Sequence, residues 1–132
     1  MTGFVVFPPM FTVQTLKNGL RLAVAKSSGT DAASVFVYDD VSMDWALEMK
    51  PDMLKLNSSD ISNPDLIIAA ARSGLPFTVG TGASTLEEIK TAIDLSLANG
   101  GDQIILQHGV QNFPTPSEQA HIRRIALLKE HF

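Results

Sequence analysis

The chain has 132 residues, 45% of them hydrophobic and 18% charged, with a formal net charge of −4 and no cysteine. This length holds one domain with its own core, and a mildly acidic balance with scattered Lys and Arg carries no nucleic-acid footprint. Without cysteine there are no disulfides, thiolate catalysis or cysteine metal sites; no apolar run approaches the ~20 residues of a membrane helix, and Met1-Thr2-Gly3-Phe4 lacks the basic start of a secretory signal. A cytoplasmic protein without nucleic-acid or membrane partners is expected.

Residues 1–33 are poorly readable. Phe4-Val5-Val6-Phe7 reads as a short strand stopped by Pro8-Pro9. Leu20-Arg21-Leu22-Ala23-Val24 fits either a strand after an Asn18-Gly19 turn or the end of a helix, and Ser27-Ser28-Gly29-Thr30 reads as a loop. From Ala33 onward the pattern sharpens. Val35-Phe36-Val37-Tyr38 is β-branched and aromatic, as strands are. Asp39-Asp40 ends it, and Ser42 is the expected cap of a helix over 43–49, stopped at Lys50-Pro51. Trp45 on that helix is expected in the core. Met53-Leu54-Lys55-Leu56 is the next strand. Asn63 then caps a helix with Pro64 at its first position, where a missing N–H costs nothing, and Gly74 ends it. Phe77-Thr78-Val79 is a third strand, followed by the tight turn Gly80-Thr81-Gly82. Ser84-Thr85-Leu86-Glu87 predicts a capping box, with Ser84 as cap and Glu87 at N3. Leu86, Ile89, Ile93 and Leu97 form the expected apolar face of the helix it opens. Gln103-Ile104-Ile105-Leu106 is a fourth strand, and Thr115-Pro116-Ser117-Glu118 predicts a second capping box opening the last helix.

Strand followed by helix, four times over, predicts parallel strands with right-handed crossovers. A closed eight-stranded α/β barrel takes ~250 residues and at least ~200, so the chain forms either a small open α/β structure or part of a barrel. Part of a barrel leaves open strand edges that can pair with another chain.

Parallel strands share one carboxyl end, so the turns starting at Lys55, Gly80 and His108 are expected to converge. Lys55 is placed to hold a phosphate or carboxylate, or else is a surface lysine on an edge strand; lysine is unusual in a parallel strand covered on both faces. Ser58 and Asp60 could contact a ligand or serve only to shape the loop. Gly80-Thr81-Gly82-Ala83-Ser84 before a helix fits an anion site or a structural turn, and it matches neither a nucleotide P-loop nor the dinucleotide fingerprint. His108 could be a general base, a metal ligand or a hydrogen-bonded core histidine. His121 and His131 are expected on the last helix, in solvent. Gln111, Asn112 and Phe113 either line a pocket mouth or shape the turn before Pro114.

At these turns the chain resembles the sialic acid synthase family, the phosphoenolpyruvate-dependent enzymes that make N-acetylneuraminate and related nonulosonates. Lys55-Leu56-Asn57-Ser58-Ser59-Asp60-Ile61 is similar to the family's Lys-Ile-Gly/Ala-Ser-Gly/Ser-Glu/Asp motif. Gly80-Thr81-Gly82-Ala83-Ser84 is similar to its Ser-Thr-Gly-Met-Ser turn, and the stretch from His108 through Gln111, Phe113 and Pro114 to Pro116 to its His/Gln-Cys-Thr-Ser/Asn-x-Tyr-Pro-Thr-Pro motif. Order and spacing agree, and the match covers residues 35–132, with none before Val35.

The resemblance implies a single partial TIM-type (β/α) barrel domain over 1–132, with about four to five parallel βα units. It implies condensation of phosphoenolpyruvate with an N-acetylated amino sugar such as N-acetylmannosamine, with a divalent metal, manganese or magnesium. By motif, Lys55 and Ser58 would contact phosphoenolpyruvate, Asp60 would face the sugar, Gln111 would reach phosphoenolpyruvate and Phe113 would stand at the sugar side. Thr81, in the second motif, joins the substrate-binding set, while Lys55 and Asp60 are the catalytic candidates. Gly80 departs from the family's phosphate-binding Ser, and Phe113 lacks the Tyr hydroxyl. The family's metal-binding histidines are not evident, so this chain alone is expected to be incomplete or inactive, and to self-associate or bind a complementing barrel half. A non-catalytic remnant that binds a small phosphorylated ligand, or acts as an interaction module, is the first alternative. A Schiff-base aldolase using Lys55 is the second.

Overall fold

The computed structural model describes residues 11–15, 21–25 and 33–132. The expected strand at Phe4, the Asn18-Gly19 turn and the loop at Ser27 lie outside the described residues. The chain divides into two compact units, residues 1–33 and 34–132. In the first, β1 (Phe11–Thr15) and β2 (Arg21–Ala25) pair antiparallel, Phe11 opposite Ala25 and Thr15 opposite Arg21. Of the two readings of this segment, the strand is therefore the one adopted.

The second unit is a parallel sheet of β3 (Ser34–Phe36), β4 (Met53–Leu56), β5 (Phe77–Gly80) and β6 (Ile104–Gln107), in that spatial order. Helices α1 (Asp40–Glu48), α2 (Pro64–Arg72), α3 (Leu86–Ala98) and α4 (Arg123–His131) follow the strands in turn. This is the expected α/β architecture, a run of four βα units of a TIM-type barrel. β3 is shorter than expected, although Val37 continues its edge by donating its N–H to the Lys55 carbonyl at 3.1 Å. No helix among the described residues is long and apolar enough to cross a membrane.

Local chemistry sets most helix starts, with three shifts from expectation. The cap of α1 is Asp39, not Ser42: Asp39 Oδ1 accepts from the Ser42 N–H at 2.7 Å, and Ser42 Oγ accepts from the Asp39 N–H at 3.0 Å. The helix α3 is capped by Thr85 with Glu88 at N3, one residue later than predicted. Ser84-Thr85-Leu86-Glu87-Glu88 contains two overlapping capping boxes, and burial decides between them. Ser84 is buried, its hydroxyl reaches back to the Gly82 carbonyl and its own carbonyl accepts from Arg124, so Thr85 is left to cap. The last helix does not run from Thr115. A 3₁₀ turn at Ser117–Gln119 and a left-handed His121, φ +46°, break the chain, and α4 begins at Arg123 without a side-chain cap. His121 therefore precedes the helix, and both it and His131 are exposed. Only α2 has both ends as expected, with the Asn63 side chain accepting from the Leu66 N–H at 3.3 Å and Gly74 at φ +71°.

The core lies on one face of the sheet. Val35, Leu54, Leu56, Phe77 and Val79 are buried in one cluster with Met43 and Ala46 of α1, Leu66, Ile67 and Ala70 of α2, and Ile89 and Ala92 of α3. Trp45 is half-buried and outside the fully buried set; Met43 and Ala46 are the buried residues of α1. Leu97 is 55% exposed rather than on the buried face, which ends at Ser96. Eight residues past Ile89, Leu97 has rotated off a stripe of period 3.6. On the opposite face the strand register aligns Phe36, Lys55, Thr78 and Ile105 in one row across the sheet. Phe36 is 44% and Ile105 47% exposed there. This is the face that a closed barrel turns toward its axis.

Candidate functional site

Lys55 lies on an interior strand, β4, between β3 and β5. That removes the reading of it as an edge-strand lysine. Alternation along the strand buries Leu54 and Leu56 under the helices and puts Lys55 on the open face. Its Nζ lies 4.8 Å from the centroid of the Phe36 ring, its neighbour in register. The aromatic face attracts and orients the ammonium.

Three turns close over this lysine. After β4, Asn57 leads into a 3₁₀ turn at Ser58–Asp60. After β5, the Thr81 N–H and hydroxyl both donate to the Gln107 carbonyl, at 2.9 and 3.3 Å. These bonds tie the second turn to the end of β6. The Gly82 N–H donates to Ser58 Oγ at 3.2 Å, which ties the second turn to the first. Gly82 needs its bare backbone, because a β-carbon there would stand 2.8 Å from the Gly109 carbonyl and 2.9 Å from Gln111 Nε2. The third turn is thus drawn against the second. His108, at its start, has Nε2 2.8 Å from the Ala120 carbonyl. A carbonyl only accepts, so Nε2 carries the proton and donates. The other ring nitrogen, Nδ1, is enclosed without a partner.

Phe36, Lys55, Asn57, Ser58, Gly80 and His108 all line one cavity of about 200 Å³. Beside it lies a second cavity of about 460 Å³, which shares Asn57 and Ser58 and adds Ser84, Glu88 and Gln111. The expected site residues Lys55, Ser58 and Gln111 therefore border these two adjoining spaces. Asp60, Thr81 and Phe113 line neither cavity. Thr81 is fully buried with its hydroxyl engaged, Asp60 is half-buried with Oδ2 enclosed and unpartnered, and Phe113 is 98% exposed at the tip of its turn. Sequence reasoning missed Asn57, Phe36 and Gln107 as lining residues. Strand alternation could have found two of them, since Phe36 pairs with Lys55 and Gln107 with Gly80. Among the described residues no three His, Asp or Glu side chains come together as ligands for a metal.

A lysine, a serine hydroxyl and an amide border one small space at the carboxyl ends of parallel strands, and these are donor types that can hydrogen-bond an anion. The NeuB family model matches residues 22–132. The chain belongs to the NeuB family. The match begins ahead of Val35, where the motif resemblance starts, and so takes in β2 from Leu22 onward. The N-acetylneuraminate-9-phosphate synthase of Drosophila melanogaster is 24% identical over 94 residues, covering 71% of this chain and 25% of that protein. Among solved structures, the spore coat polysaccharide biosynthesis protein SpsE of Bacillus subtilis superposes with a TM-score of 0.72 at 27% identity, over 74% of this chain and 27% of that one. The sialic acid synthetase of Leptospira borgpetersenii, solved in complex with citrate, gives a TM-score of 0.69 at 30% identity, over 74% and 34%. This NeuB-family chain spans about a quarter of the length of the curated relatives it matches.

Proposed function

We propose that this NeuB-family chain forms the phosphoenolpyruvate-binding part of a synthase that joins phosphoenolpyruvate to an N-acetylated amino sugar, such as N-acetylmannosamine, to make a sialic acid or related nonulosonate. The observation that carries this reading is the cavity of about 200 Å³ that Lys55 shares with Ser58 and Asn57. Phosphoenolpyruvate bears a phosphate and a carboxylate, and an ammonium with hydroxyl and amide donors is the right complement. The same donors stabilise negative charge as phosphate leaves. Anion binding is assigned to Lys55 and Ser58, with Gln111 at the border of the neighbouring space. The manganese or magnesium ion expected from the resemblance finds no three-ligand set among the described residues, and its ligands are assigned to other strands of the completed barrel. Exposed Phe36 and Ile105 on the open face, and the outer edges of β3 and β6, unpaired among the described residues, favour a complementing barrel half as partner.

The test is thermal unfolding with phosphoenolpyruvate. A ligand at ~100 times its dissociation constant stabilises the folded state by about 2.7 kcal/mol. The midpoint is expected to rise with phosphoenolpyruvate, and Lys55→Ala to abolish the rise. An unchanged midpoint at millimolar phosphoenolpyruvate would overturn the reading.

A further inference from the structure

The two outer helices of the second unit differ from the helices between them. α2 packs between α1 and α3 and leaves no large hydrophobic side chain exposed. On α1, by contrast, Val41 and Leu47 are exposed, and on α4 so are Ile125 and Leu127, with Ile122 just ahead of them. A cavity of about 550 Å³ between α3, β6 and α4, walled in part by Leu97, Leu106, Ile125 and Phe132, leaves further apolar surface uncovered at the β6 end of the sheet. The outer helices also carry opposite charge. α1 holds Asp40, Asp44 and Glu48 with no Lys or Arg, a formal −3. α4 holds Arg123, Arg124 and Lys129 against Glu130, a formal +2. Beneath them, β3 at one end of the sheet and β6 at the other each have an outer edge unpaired among the described residues.

The four parallel strands are half of the eight that close a TIM-type barrel. A two-fold rotation about an axis along the strands keeps all eight parallel and sets β6 of each copy beside β3 of the other, a head-to-tail contact that closes at two copies. The same rotation stands α4 of each copy next to α1 of the other, as α1 stands next to α2 within one copy. Basic helix then meets acidic helix, and the exposed apolar side chains of both are covered. Pairing β3 with β3, or β6 with β6, would run the strands antiparallel and set like-charged helices together. Both complementary faces lie on one chain, so a second copy suffices. We propose that the complementing half is a second copy of this chain: two chains close an eight-stranded barrel by parallel pairing of β6 of each with β3 of the other, with basic α4 seated against its partner's acidic α1. Each copy then turns its row of Phe36, Lys55, Thr78 and Ile105 toward the common axis. The proposal rests on the partial-barrel reading above and names its partner.

Analytical ultracentrifugation of the full chain reads the mass, and twice the 14.2 kDa of one chain is expected. Two charge-reversed variants then test which faces meet, each at exposed positions. Arg123→Glu with Lys129→Glu makes both outer helices acidic; Asp44→Lys with Glu48→Lys makes both basic. Either variant alone sets like charge against like charge and is expected to weaken its own pairing at least about tenfold. An equimolar mixture of the two restores opposite charges at both contacts, and the two-chain mass is expected to return. If either variant does not fold, as read by circular dichroism, amide exchange of the unsubstituted chain replaces it. Protection along β3 and β6 is then expected to rise with chain concentration, and protection independent of concentration overturns the proposal. A single-chain mass at every concentration overturns it, as do assemblies larger than two. A two-chain mass that charge reversal leaves unchanged, or a mixture that does not pair, overturns it too. Thermal unfolding with phosphoenolpyruvate separates this failure from that of the anion site. A single chain whose midpoint rises with phosphoenolpyruvate keeps the site and loses the closure; a two-chain assembly whose midpoint stays still keeps the closure and loses the site.

Discussion

Gly101 shows how little room single positions leave in this unit. A β-carbon there would stand 2.5 Å from Ser96 Oγ and 2.8 Å from the Ala71 Cα. The Ala71 contact is to backbone and cannot swing away, so the end of α3 and the body of α2 must separate to admit a methyl. Gly101→Ala is expected to destabilise the fold by about 1–3 kcal/mol, the usual cost of overpacking. A lowered urea midpoint at unchanged slope checks it. Ser96 is fully buried, and its hydroxyl donates to the Gly101 carbonyl at 2.9 Å. Ser96→Ala leaves that acceptor short of a partner and is expected to cost about 1–3 kcal/mol. Phe77, 1% exposed on the interior strand β5, is the largest fully buried side chain among the described residues. Phe77→Ala is expected to cost about 3–5 kcal/mol by leaving a cavity.

At the scale of the element, the start of α3 links sequence to pH dependence. The Thr85 N–H and hydroxyl both donate to Glu88 Oε2, at 2.7 and 2.9 Å, and the Glu88 N–H donates to Thr85 Oγ1 at 3.2 Å. Backbone and then side-chain hydrogen bonds from Thr85 favour the carboxylate and hold the Glu88 pKa below its ordinary value. A carboxylate whose pKa is depressed by folding contributes stability above its unfolded pKa, and loses it as pH falls through the lower folded value. The capping contribution is therefore expected to be whole at neutral pH and to fade on the acid side of the ordinary glutamate range. In the Thr85→Ala variant the Glu88 carboxyl is expected to titrate closer to its ordinary value, as followed by its side-chain NMR shift with pH. An unchanged titration midpoint would show that the box does not form in solution.

At the scale of the whole second unit, the sheet is packed on one side and open on the other. β4 and β5 each have strand neighbours on both sides, whereas β3 and β6 have one apiece among the described residues. Local opening is easiest where contacts are fewest. Amide exchange is therefore expected to be slowest at Leu54, Leu56 and Val79 and faster along β3 and β6. Addition of a complementing barrel half is expected to slow exchange at the outer edges of β3 and β6, where new pairing would form. Equal protection across all four strands would contradict the one-sided architecture.

Much of this was legible in the residues themselves. Helix α2 was readable at both ends because its signals are local: Asn63 bonds three residues on, Pro64 needs no N–H partner and Gly74 takes a left-handed backbone. The four parallel strands were readable from short β-branched and apolar runs set between turns, and the three turn motifs pointed to the family that the NeuB match establishes over residues 22–132. What sequence could not decide was set by contacts between residues far apart in the chain. Burial of Ser84 beneath Arg124, 40 positions away, moved the α3 cap to Thr85. The left-handed His121 held α4 back to Arg123 where the local pattern predicted an earlier start. The hydroxyl of Ser58 reaches Gly82 across 24 positions. Propensity, capping and periodicity act within about one turn of chain, so they determine which elements form and in what order. Which of two overlapping caps is used, which strand face stays open and which side chains share a cavity depend on packing between elements, and only the tertiary structure decides those.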